Sequence, residues 1–143
     1  MSKSDAFEND LLKLIFNGIA IANVADNSAS SPLTNLYVSL HTADPGDTGT
    51  EATSEISYTG YSRVAVARTT GGWTVTGNSV SPAANIDFAA MTAGTGGTAT
   101  HFAIGAAASG ATKILYSGTI SPSLAVTTGV SPRLTTATTV TED

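Results

Sequence analysis

The stretch that decides the fold is Asn35–Thr42, NLYVSLHT, in which Leu36, Val38 and Leu40 alternate with Tyr37, Ser39 and His41. That period of two, with Val and Tyr among its residues, predicts a half-buried β-strand. The next eighteen residues, 43–60, read ADPGDTGTEATSEISYTG and carry Pro45-Gly46, Gly49, Gly60 and the acids Asp44, Asp47, Glu51 and Glu55. They are too polar for a core strand and too long for a hairpin turn, and loops of such length are mostly functional.

Beyond the loop the alternation returns. Tyr61–Arg68, YSRVAVAR, predicts a strand, and Gly71-Gly72 separates it from Trp73–Thr76 in the manner of a hairpin. Further strands are predicted at Ser79–Pro82, Asn85–Phe88, Thr100–Ala106, Ile114–Ile120, Leu124–Thr127 and Thr135–Thr141, with turns at Gly94–Gly97, Gly110 and Gly129. Short strands with no helix between them favour a mainly β fold, a jelly-roll-like antiparallel β-sandwich.

On the other side of Asn35, the run Asp26–Pro32, DNSASSP, lacks apolar periodicity and predicts a connecting loop. Before it, Ser4–Val24 predicts the one N-terminal α-helix, with Phe7, Leu11, Leu14, Ile15, Gly18 and Ile21 on an apolar side and Glu8, Asn9, Lys13 and Asn17 opposite. Ser4 is placed to cap it, and Asp5, Glu8 and Asp10 suit the positive end of its dipole. Leu12, Phe16 and Ile19 form a second apolar row, wider than a helix on one sheet needs; either a partner or a groove of its own domain would cover it. The organisation expected is a helical docking arm over residues 1–25 and a β-sandwich over residues 26–143.

Composition sets the outer limits. The chain has 143 residues, 41% hydrophobic but only 12% charged, about half of the roughly 25% usual in soluble domains. Its exterior is therefore rich in neutral Ser, Thr, Asn and Gly, which tolerate burial in an assembly better than unpaired ions do. A net charge of −5 with scattered basic residues argues against nucleic-acid binding. There is no cysteine, hence no disulfide and no thiolate ligand. Polar residues interrupt the apolar run Leu11–Val24, so neither an export signal nor a membrane span is expected.

Candidate chemistry is thin. His41 ends its strand close to Asp44 and Asp47, but a histidine with two carboxylates and no third nitrogen or sulfur ligand is a weak zinc site. His101 starts a strand beside Phe102 and Ile104 and fits a surface or interface role. The acids of residues 44–55 lack the spacing of an EF-hand. There is no nucleophile elbow and no phosphate-binding loop. The expectation is no enzyme, no catalytic residue, no cofactor and no metal.

The motif Leu36–Val66, LYVSLHTADPGDTGTEATSEISYTGYSRVAV, resembles a group of small virion proteins of tailed bacteriophages. Trp73, Ile86-Asp87-Phe88, Thr100–Gly105, Leu115–Gly118 and Gly129–Pro132 also fit, so the resemblance covers most of the chain. Members are described variously as head decoration, minor structural or tail-fibre-associated. The resemblance implies a capsid decoration (cement) protein assembled in the host cytoplasm, sited on the capsid exterior and tying capsomers together. Its implied partners are the major capsid protein and copies of itself, as trimers ahead of dimers; nucleic acid and membrane are not among them. A tail, collar or fibre-associated subunit, or a host-surface recognition module, is the alternative. Interface candidates are Leu12, Phe16 and Ile19 on the helix and His41, Asp44, Tyr58 and Tyr61 around the long loop.

Overall fold

The computed structural model describes residues 3–21 and 33–142. The end of the expected helix and the loop Asp26–Pro32 lie outside them. The chain is mainly β. Helix α1 (Asp5–Leu12) runs into a π-helical turn (Lys13–Asn17), followed by strands β1 (Asn35–His41), β2 (Val64–Ala67), β3 (Trp73–Thr76), β4 (Ser79–Pro82), β5 (Ile86–Asp87), β6 (Gly97–Gly105), β7 (Ile114–Val126), β8 (Arg133–Leu134) and β9 (Val140–Thr141). They form sheets ordered β2-β1-β6-β7, β3-β4-β9 and β5-β8. The pairs β1–β6, β6–β7, β3–β4, β4–β9 and β5–β8 are all antiparallel. Antiparallel sheets with one short N-terminal helix are what the sequence predicts, and they are consistent with a β-sandwich.

The chain divides into two compact units. One comprises residues 1–35, 66–85 and 135–143, and the other residues 36–65 and 86–134. The helix is thus part of a unit with β3, β4 and β9 and is not set apart at residue 25.

In the first unit Ser4 caps α1, its hydroxyl accepting from the Phe7 amide. The regular helix stops far short of Val24. From Lys13 the hydrogen bonds widen to the π pattern, and Gly18, at φ 67°, ends the segment with its amide donating to the Lys13 carbonyl. Arg68 holds this end by donating from Nε to the Ile15 carbonyl (2.6 Å) and from Nη2 to the Leu14 carbonyl (2.5 Å). The face that turns inward is Glu8, Leu12 and Phe16. A four-residue step overshoots an α-turn of about 3.6 residues and falls short of a π-turn, so the two drifts cancel and the row stays straight. Phe16 meets Trp73 edge-on at 4.9 Å. Asn17 donates to the Trp73 carbonyl (3.0 Å), and Asn9 to that of Gly77 (2.6 Å). Phe7, expected on the apolar side, is exposed.

In the second unit β1 pairs with β6 from Tyr37↔Gly105 to His41↔His101. Leu36, Val38 and Leu40 are buried with Phe102 and Ile104 on one face of the sheet. Gly118 lies opposite Phe102, and a β-carbon there would come within 2.8 Å of the Phe102 ring. The two strands expected at Ile114–Ile120 and Leu124–Thr127 are one element, β7, but its register with β6 jumps between them, from His101↔Thr119 to Ala99↔Leu124. The Gly71-Gly72 hairpin is not formed. β2 belongs to the β1 sheet and β3 pairs with β4, because Gly72 is packed against the Ala67 carbonyl and its own carbonyl accepts from the Ala83 amide (2.9 Å).

Candidate functional site

The sheet's second face carries Ser39 and His41 from β1, and the long loop is folded down onto it. Backbone bonds fasten the loop at several points: Thr42 N to Ser54 O (2.8 Å), Ile56 N to Leu40 O (2.9 Å) and Glu51 N to Thr112 O (2.9 Å). Glu51 and Ile56, expected in a solvated loop, are buried. The reason is Arg63.

Arg63 is buried, with only 2% of its side chain exposed, and all of its polar atoms are engaged. Nε and Nη2 donate to the two oxygens of Glu55, each at 2.8 Å, the bidentate fork that best holds a carboxylate. Nη2 also reaches the Gly110 carbonyl (2.8 Å), and Nη1 reaches the Ala107 carbonyl (3.1 Å) and Glu51 Oε2 (3.2 Å). Thr112 donates from its hydroxyl to the same Glu51 oxygen. The hydrogen bond to Glu55 raises the Arg63 pKa, against the opposing effect of burial. One guanidinium therefore ties the long loop to the turn between β6 and β7.

Tyr61 completes the cluster. Its hydroxyl donates to Glu55 Oε1 (2.9 Å) and accepts from the Leu40 amide (3.1 Å), satisfying a stretch of β1 that the short strand β2 does not reach. Burial is the main cause of its strongly raised pKa. Its ring stacks on Phe88 and meets Tyr58 edge-on. Tyr58 is buried and donates to the Ala89 carbonyl (2.9 Å); burial raises its pKa too.

His41 is fully buried. Its Nδ1 lies 2.8 Å from the Thr53 carbonyl and its Nε2 lies 2.9 Å from the Ser39 hydroxyl. A carbonyl only accepts, so Nδ1 carries the proton of the neutral ring. Burial lowers the pKa, outweighing the Thr53 hydrogen bond and the nearby Glu55. Asp44 is exposed and turns its own loop, accepting from the Gly46 amide (2.9 Å).

Of the residues expected at an interface, the structure thus brings His41 and Tyr61 into the Arg63 cluster with Tyr58 packed beside it. Leu12 and Phe16 do not form a docking row, because both are wholly buried within their own unit; Ile19 alone of the three is exposed, at 48%. Sequence reasoning missed Arg63 and Glu51. The signal available was the pairing of two loop acids with a lone arginine eight and twelve positions on. Among the described residues no group of three or more His, Cys, Asp or Glu side chains is placed to hold a metal ion, and no helix is long and apolar enough to cross a membrane.

A chain of antiparallel sheets whose buried charges tie its own segments together has the build of a structural part, and comparison with known families makes the class explicit: it is a structural protein of the bacteriophage virion. The chain belongs to the family described as podophage GP4 fiber I protein gp80, whose model matches residues 2–141. A search of curated proteins finds no match.

Proposed function

We propose that this protein is a fibre-associated subunit of a podophage particle with a structural, non-catalytic role. The observation that carries the reading is the family match, which spans nearly the whole chain and whose description names a fibre protein. It favours the fibre alternative over the capsid-cement role and the capsid partner that the sequence resemblance implies. Burial of Leu12 and Phe16 also removes the apolar row by which a helical arm would grip a capsid shell. A non-catalytic role is supported by His41, whose two ring nitrogens are held by the chain's own groups, and by Glu55, which is engaged by Arg63 and Tyr61.

Immunogold electron microscopy of intact particles, with antibody raised against this chain, tests the proposal. Gold confined to the tail and its fibres is the expected result. Gold distributed over the head shell would restore the cement role, and particles without label would remove the protein from the virion surface.

A further inference from the structure

The four-stranded sheet ends on β7, and no strand of the described residues pairs with its outer edge. Such an edge is a row of backbone donors and acceptors ready to accept another strand, and proteins usually blunt it with charge, proline, bulges or brevity. β7 is blunted on one half only. Between Thr119 and Leu124 the chain takes five steps while β6 takes two, so residues 120–123, with Pro122 among them, bulge out of the ladder. The first half has no such guard. Tyr116–Thr119 pairs with β6 in unbroken register, and Ile114–Thr119 contains neither charge nor proline. Beside it the turn bearing Gly46, Asp47 and Gly49 forms the far wall of a groove of about 390 Å³ along Lys113–Ser117.

We propose that this half of β7 is a self-pairing edge, on which a second copy of the chain lays its own β7 antiparallel across a two-fold axis near Ser117. Antiparallel pairing of identical edges is self-complementary, since each residue meets its counterpart's partner in return. Charge selects the occupant. Copies carrying −5 each repel over most approaches, whereas Ile114–Val126 contains no ionisable side chain except the Tyr116 phenol. The groove's charged residues are Asp47 and Lys113, one of each sign, so a two-fold copy offers each its opposite. Such an edge makes dimers, in contrast to the trimers expected from the sequence resemblance.

The test is sedimentation velocity across a concentration series on the full chain, on the double variant S117K/T119K, and on A65K at the opposite edge of the sheet, where Ala65 of β2 is exposed. Ser117 and Thr119 are also exposed, so circular dichroism and the urea midpoint should match wild type in both variants. The expected result is a concentration-dependent dimer for wild type and A65K, and a monomer at every concentration for S117K/T119K. A wild type that stays monomeric, a species of three copies, a dimer that survives S117K/T119K, or one abolished by A65K would each overturn the proposal.

Discussion

Arg63 holds two carboxylates and two carbonyls with one side chain, so its loss strands charge in the interior. Arg63→Met should destabilise the protein by about 3–5 kcal/mol, the cost of leaving a buried ionic partner uncompensated; urea denaturation at neutral pH reads this directly. Arg133 and Asp87 are the contrast. Their ion pair is equally well formed at 2.5 Å but more than half exposed, and Asp87→Asn should leave the urea midpoint where it is. His41 gives the pH dependence. Because burial holds its folded pKa below the ordinary 6.5, the unfolded chain takes up the proton first. Stability from this residue is therefore complete above pH 6.5 and is lost as pH falls below it. Urea midpoints at pH 7.0 and 5.5 should differ more for wild type than for His41→Gln.

At the scale of elements, glycines and caps decide what can be changed. A β-carbon on Gly105 would fall 2.0 Å from the Glu51 carboxyl carbon, and Glu51 has nowhere to retreat because it is fully buried. Gly105→Ala should therefore destabilise strongly, by about 2 kcal/mol or more, whereas Ser4→Ala, which removes the cap of α1, should cost about 1 kcal/mol; thermal or urea unfolding of the two variants orders them. Strands with strict alternation were legible: Trp73–Thr76 and Ser79–Pro82 have in the structure the limits read from the sequence, and the split predicted after Ile120 coincides with the register jump in β7. Two-residue strands were not. Arg133–Leu134 has no period to read and exists because Ile86–Asp87 lies opposite it. The helix was legible at its start, where Ser4 acts locally, and not at its end, where the carbonyls answer to Arg68, more than fifty positions away. The Arg63 cluster was hidden for the same reason. Its carbonyl partners Ala107 and Gly110 come from a turn that only the β6–β7 pairing brings near.

For the molecule as a whole, charge is scarce and mostly committed. Of six basic residues, Arg63 is spent on Glu51 and Glu55, Arg68 on backbone carbonyls, Arg133 on Asp87 and Lys3 on Glu142. That leaves Lys13 and Lys113 against a net charge of −5. Since affinity for nucleic acid rises with the number of phosphates neutralised, the protein should pass through a DNA column without retention even at low salt.

The division into units also fixes an order of events during synthesis. The unit built from residues 36–65 and 86–134 has all its parts once Leu134 has left the ribosome. The helix-bearing unit does not, because β4 waits for Val140 and Thr141, and the Asn78 carbonyl waits for the Glu142 amide. Helix α1, the first element made, must therefore remain unsealed on the nascent chain until the last strand arrives. Until then Leu12, Phe16 and Trp73 are the surface that a chaperone, or a neighbouring nascent chain, would meet.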